Sequence, residues 1–68
     1  MINVALFGFG RIGQMHAKNL NKNKEIKLLY VYEKIDQLGK KANKLYGCKF
    51  EKNYNNIFND KNVDIIFI

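Results

Sequence analysis

Three glycines, spaced as Gly8-x-Gly10-x-x-Gly13, stand between an apolar run and a segment with helical periodicity. In such a turn the first glycine lets the chain leave a strand sharply, the second lets a pyrophosphate approach the backbone, and the third lets the helix lie close to the sheet. The N–H groups that begin the helix have no partners within it and carry partial positive charge, so they can bind an anion. We therefore predict a dinucleotide-binding turn; a tight turn in another kind of α/β protein is the alternative.

Charged residues in and after this turn fit the same ligand. Arg11 can add a contact to a phosphate, although a solvent-exposed role suits it equally. Glu33 follows Gly13 by twenty residues, where its carboxylate can accept hydrogen bonds from both hydroxyls of the adenosine ribose. It would repel a 2′-phosphate by about 4 kcal/mol per unit charge at contact distance, a repulsion that Lys34 partly offsets. We expect NAD as the cofactor and NADP as the second choice; a surface Glu33 without a ligand role is the alternative.

The other reactive side chains predict no catalytic or metal site. His16 is the only histidine, and its place on the first helix favours packing or support of the cofactor over catalysis. Cys48 is the only cysteine, which excludes an internal disulfide and gives no zinc-ligand spacing. We expect it to be a small buried residue of a strand, in a protein of the reducing cytoplasm.

Strands and helices must alternate along the chain to position these residues. Hydrophobic patterns predict strands at residues 1–7, 26–32, 48–51 and 63–68, and helices at 11–21, 36–46 and 54–60, with Gly47 closing the second helix. Parallel strands need crossover connections, and these are right-handed. The pattern predicts an α/β fold, a partial Rossmann fold with parallel strands in the order 3-2-1-4, which is its first mononucleotide-binding half.

The length and the net charge of the chain limit the functions that it can have. We expect residues 1–68 to be an incomplete dinucleotide-binding domain, without a substrate domain, because a doubly wound sheet typically needs about twice this length. The net charge of +6 comes from scattered lysines, which argues against nucleic-acid binding. No segment approaches the ~20 apolar residues of a membrane helix.

The motif extends beyond the glycines. Residues 8–20, GFGRIGQMHAKNL, resemble the G-x-G-R-I-G-x-x-H-A-x-N-L string of the glucose-fructose oxidoreductase, inositol dehydrogenase and rhizopine-catabolism (Gfo/Idh/MocA) family. Residues 26–33 resemble its second strand and acid, residues 41–47 its A-x-x-x-Y-G helix end, and residues 63–66 its V-D-A-V strand. The resemblance therefore covers the whole chain.

This resemblance implies a cofactor-binding half of an NAD(P)-dependent dehydrogenase, with Phe9, Arg11 and Ile12 along the pyrophosphate. A second domain would bind a cyclitol or sugar, whose hydroxyl is oxidised as in an inositol 2-dehydrogenase, and the parent protein would be a homo-oligomer. The family's catalytic lysine, in a Glu-Lys-Pro motif, and its later aspartate and histidine would follow residue 68. The family most often has aspartate where Glu33 stands, so the reach to the ribose differs here.

Two other functions share the first motif. Glyceraldehyde-3-phosphate dehydrogenases also begin with G-F-G-R-I-G, but they resemble this chain poorly from Gln14 onward. A non-catalytic module that senses NAD would have the same turn, and only the sequence after Ile68 would distinguish it from the enzyme.

Overall fold

Four strands and three helices alternate in the computed structural model, which describes residues 1–68. The elements are β1 (Ile2–Phe7), α1 (Arg11–Lys22), β2 (Ile26–Tyr32), α2 (Asp36–Tyr46), β3 (Lys49–Glu51), α3 (Tyr54–Phe58) and β4 (Ile65–Phe67). All strand pairs are parallel and their order is β3-β2-β1-β4. The predicted α/β class, partial Rossmann fold and strand order are confirmed.

The two faces of the sheet are packed differently. On one face, seven buried residues form a cluster that joins β1 and β2 to α1 and α2: Leu6, Phe9, Ala17, Leu28, Val31, Ala42 and Cys48. On the other face the buried cluster is smaller, with Ala5, Tyr30 and Ile57 beneath α3. β1 and β2 contribute to both faces, because successive side chains of a strand point to opposite sides. The register between these strands shifts between Val4 and Ala5, so Leu28 and Tyr30 lie on different faces although they are two positions apart.

Tyr30 ties this second face to the turn before β4. Its hydroxyl donates a hydrogen bond of 2.6 Å to Asp60 Oδ2. That bond is the largest cause of the lowered pKa of Asp60, and together with burial it raises the pKa of Tyr30. The interaction fixes the loop between α3 and β4 against β2.

The packing face of α1 differs from the prediction. Ile12, Met15, His16 and Leu20 recur at the spacings of three and four that predict one apolar stripe on this helix. His16 and Leu20 are half-buried, but Ile12 is 66% and Met15 is 57% exposed. The buried residue is Ala17, and Gly13 lies one turn before it. Small residues at this spacing let the helix backbone approach the sheet more closely than a stripe of large side chains would, and Ile12 and Met15 point outward.

The end of α2 matches its prediction. Gly47 has φ +68°, the left-handed conformation that commonly follows a helix, and its N–H donates to Asn43 O at 2.8 Å. Asn43 Nδ2 also donates to the carbonyl of Cys48 at 2.7 Å. Cys48 itself is buried just before β3, and this burial raises the pKa of its thiol.

Candidate dinucleotide-binding site

The glycine turn has two positions where a side chain would not fit. Gly8 has φ +99°, a conformation that L-residues rarely adopt, and its N–H donates to Tyr32 O at 2.8 Å. A Cβ on Gly13 would lie 2.7 Å from the carbonyl carbon of Gly8 and closer still to its oxygen. The first glycine thus makes the turn, and the third lets α1 pack directly on the backbone that leaves β1.

Gly10 is different, because the fold itself does not require a glycine there. Its φ of −71° and ψ of −164° are ordinary extended values, and a Cβ would have no atom within 4 Å. Gly10 is the N-cap residue of α1, and no side chain caps the helix there. The open space in front of this residue is therefore available to a ligand that approaches the backbone.

The start of α1 also presents unpaired hydrogen-bond donors. The N–H groups of Gly10, Arg11, Ile12 and Gly13 donate to no protein acceptor; the first helical bond runs from Gln14 N to Gly10 O at 2.8 Å. The first turn contains no acidic residue. Four unpaired donors and the positive end of the helix dipole together form a site suited to an anion.

A groove of about 490 Å³ opens at this helix start. It is lined by Phe7, Gly8, Gly10, Arg11, Ile12, Gly13, His16 and Ile68. Five of the eight residues predicted to bind cofactor thus share one groove. The His16 ring packs edge-on against Phe67, with 4.8 Å between ring centroids, so the histidine is both a packing residue and part of the groove wall.

Phe9 stands apart from the other residues of the turn. Its side chain is fully buried in the core, with its ring edge-on to Tyr46 at 6.3 Å between centroids. Only its backbone lies in the turn, and its N–H already donates to Glu33 Oε1 at 2.7 Å. The structure therefore gives Phe9 the role of an anchor, whereas the family resemblance implied a position along the pyrophosphate.

Glu33 and Lys34 lie at the carboxyl end of β2, beside the turn. In addition to Phe9 N–H, the Glu33 carboxylate accepts the N–H groups of Lys34 at 2.9 Å and Ile35 at 3.2 Å through Oε2. The Lys34 side chain is exposed and makes no polar contact with the protein. The predicted ribose-binding acid and the predicted pyrophosphate turn are thus in direct contact.

Sequence reasoning did not find two further residues at the turn. Gln14 Nε2 donates to the carbonyl of Phe9 at 3.1 Å, and Lys41 Nζ donates to Gln14 Oε1 at 3.0 Å. A polar residue in the first turn of α1, directly after Gly13, is a signal that could have identified Gln14. No signal pointed to Lys41, because its contact joins residues that are 27 positions apart.

Two further observations bear on the kind of site. No group of three or more His, Cys, Asp or Glu residues is arranged to hold a metal ion. None of the three helices has the length and apolar character needed to span a membrane.

Comparison with known proteins agrees with this geometry. A family model described as an oxidoreductase family with an NAD-binding Rossmann fold matches residues 2–68. A search of curated proteins gave no match. Among solved structures, the chain is similar to myo-inositol 2-dehydrogenase from Lactobacillus plantarum, with 30% identity and a TM-score of 0.89 over 98% of this chain and 20% of that one.

Two other solved structures contain nicotinamide cofactors. The chain is 27% identical to scyllo-inositol dehydrogenase from Lactobacillus casei with bound NAD(H) and scyllo-inositol; the TM-score is 0.87 over 100% of this chain and 21% of that one. Biliverdin reductase from Synechocystis sp., in complex with biliverdin and NADP⁺, has a TM-score of 0.85 over 96% of this chain and 21% of that one, but at 17% identity it shows the fold alone.

The chain spans about a fifth of the length of these structures. The match over almost the whole chain nevertheless establishes its family, because the matched model is that of the cofactor-binding fold itself. The chain belongs to the Gfo/Idh/MocA oxidoreductase family and has the NAD-binding Rossmann fold of that family.

Proposed function

We propose that residues 1–68 are an incomplete dinucleotide-binding domain of an NAD-dependent dehydrogenase that oxidises a hydroxyl group of a cyclitol or sugar. Cofactor binding is proposed from the structure at the start of α1. Four N–H groups are unpaired there, the first turn contains no acidic residue, and the space in front of Gly10 is open. A pyrophosphate would satisfy these donors. The similarity to inositol dehydrogenases supports the substrate class.

Each residue of the site would have a separate task. The backbone from Gly10 to Gly13 would bind the pyrophosphate, Arg11 would add a positive charge, and Ile12 would line the groove beside it. Glu33 would accept a hydrogen bond from the adenosine ribose, with Lys34 next to it. When bound, the nicotinamide supplies the hydride acceptor. None of residues 1–68 is proposed to be catalytic. The acid–base groups and the substrate domain would belong to the rest of the protein.

The proposed preference for NAD over NADP depends on charge. A 2′-phosphate next to the Glu33 carboxylate would be repelled, whereas a ribose hydroxyl could donate to it. The similarity to an NAD(H)-bound inositol dehydrogenase is in line with this preference. Cytoplasmic location and homo-oligomeric assembly stay predictions from the sequence.

Gly10→Val in the whole protein tests the proposal. The backbone at Gly10 accepts a valine without strain, and its side chain would occupy the space in front of the free N–H groups. We expect circular dichroism to be unchanged and NAD affinity, measured by calorimetry, to fall by about a hundredfold or more. Met15→Val is the matched control, because Met15 is exposed on α1 and does not line the groove.

Unchanged NAD titration in Gly10→Val would refute the cofactor site. The substrate class is tested separately, by following NADH formation from NAD with myo-inositol, scyllo-inositol and glucose. Binding of NAD without reduction by any cyclitol or sugar would favour the alternative, a module that senses NAD.

A further inference from the structure

The Glu33 carboxylate is already bound to three backbone donors of its own chain. Oε1 accepts the Phe9 N–H at 2.7 Å, and Oε2 accepts the N–H groups of Lys34 and Ile35 at 2.9 and 3.2 Å. The bonds to Lys34 and Ile35 are local and fix the start of the loop after β2. The bond to Phe9 is not local, since it spans 24 residues and joins β2 to the glycine turn.

Phe9 is held in three ways at once. Its ring is fully buried, its N–H donates to Glu33, and its carbonyl accepts a hydrogen bond from Gln14. The next residue, Gly10, begins the series of free N–H groups, and its only hydrogen bond is the one that its carbonyl accepts from Gln14 N. The orientation of those free groups therefore depends on how firmly Phe9 is held.

We propose that Glu33 is a positioning residue that holds the glycine turn in its anion-binding shape through the Phe9 N–H. Gly8 is fixed by the backbone of β2, since its N–H donates to Tyr32 O at 2.8 Å. Beyond Gly8 the chain leaves the sheet, and no backbone acceptor of β2 follows it. The carboxylate of Glu33 reaches across this gap and supplies the missing acceptor.

This role limits what Glu33 can offer to a coenzyme. A carboxylate has about four acceptor positions, and three are occupied by the protein. One position is left for the adenosine ribose, so Glu33 binds one hydroxyl and not both. This second part rests on the proposed function, whereas the hold on the turn does not.

Glu33→Asp in the whole protein separates the two roles. The aspartate keeps the charge and can still accept the N–H groups of the following residues, but it is shorter by about 1.5 Å and does not reach Phe9. Hydrogen exchange without coenzyme, read residue by residue, should show the Phe9 amide exchanging about tenfold faster or more relative to the Gly8 amide. Glu51→Asp, at the end of the neighbouring strand, should leave this ratio unchanged.

The ratio to Gly8 distinguishes local loosening from general destabilisation, which would accelerate both amides. An unchanged ratio in Glu33→Asp would overturn the proposal. If that variant does not fold, Glu33→Ala replaces it, because alanine has no side-chain acceptor for the Phe9 N–H.

A binding measurement gives an independent readout. The affinities of NAD and of an NAD analogue that lacks both adenosine ribose hydroxyls are compared in the unaltered protein and in Glu33→Asp. If Glu33 holds the turn, the substitution weakens binding of the analogue as well, by about threefold or more. If Glu33→Asp weakens the binding of NAD but not that of the analogue, Glu33 only binds the ribose and does not hold the turn. Failure of the unaltered protein to bind NAD would refute the proposed function and leave the exchange result standing.

Discussion

Gly13→Ala tests the direct contact between α1 and the backbone of the glycine turn. The added Cβ would lie 2.7 Å from the carbonyl carbon of Gly8, whereas ordinary contact begins at 3.4 Å. The difference between these distances is about 0.7 Å, and the helix would have to withdraw by more than this because the carbonyl oxygen of Gly8 lies closer still. The atoms that block the methyl group belong to the backbone and cannot rotate away.

Two opposing effects decide the change in stability. Alanine is more favourable than glycine inside a helix by about 0.8–1.0 kcal/mol. Overpacking a close contact costs about 1–3 kcal/mol, and the upper part of this range applies because backbone is displaced. We expect the free energy of unfolding to fall by about 1–2 kcal/mol. The sign is diagnostic, since without the close contact the substitution would stabilise the protein.

Urea denaturation and NAD titration of the whole protein measure the two consequences. Displacement of the free N–H groups with the helix should weaken NAD binding by about tenfold or more, since a 1 Å misplacement can cost about a hundredfold. Lys18→Ala, at an exposed position of the same helix, is the control and should change neither quantity appreciably. A Gly13→Ala variant that is as stable as the original and binds NAD equally well would refute the contact and the reasoning built on it.

Other substitutions test the charge and the second face of the sheet. Glu33→Ser should narrow the preference for NAD over NADP by about tenfold or more, because it removes the negative charge that repels a 2′-phosphate; an unchanged ratio of the two dissociation constants would remove Glu33 from the coenzyme site. Tyr30→Phe should lower the urea midpoint at neutral pH, because it removes the hydrogen bond to Asp60. The pKa of Asp60 is lowered in the folded state, so its stabilisation is present at neutral pH and is lost as the pH falls below about 3.9. The difference between Tyr30→Phe and the original protein should therefore shrink in acid, and a difference independent of pH would contradict this account.

The elements with strong local signals were predicted correctly from the sequence. Apart from Lys27, β2 consists of β-branched, aromatic and aliphatic residues, and α2 ends at a glycine with the expected left-handed conformation. The strand order followed from the alternation of strands and helices, since each parallel pair needs a crossover of fixed hand. The predicted ends of the strands were less accurate. β4 was predicted at residues 63–68 but is confined to Ile65–Phe67, and the Asp64 side chain accepts the N–H of Asn3 while its own N–H donates to the Asn3 carbonyl.

The orientation of α1 was not predictable from hydrophobicity. The helical spacing of large side chains indicated Ile12, Met15, His16 and Leu20, but the first two of these are exposed. The position of the helix instead depends on the small residues Gly13 and Ala17, which allow its backbone to approach the sheet closely. A hydrophobicity pattern does not detect this effect.

The hydrogen bonds around the glycine turn also escaped prediction. The sequence indicated that Glu33 lies near the turn, but it gave no sign that the carboxylate accepts three backbone N–H groups. Such bonds depend on which peptide groups are left unpaired when the chain leaves the sheet, and this becomes visible only in three dimensions.

The contact between Glu33 and Phe9 has a consequence for coenzyme engineering. Changing the preference of such a site toward NADP begins with removal of the acid after β2, because its charge opposes the 2′-phosphate. Here that replacement would also remove the acceptor that completes the junction between β2 and the turn. A successful redesign would therefore have to supply a neutral acceptor for the Phe9 N–H, and a redesign that considers charge alone should gain NADP selectivity while losing affinity for both coenzymes.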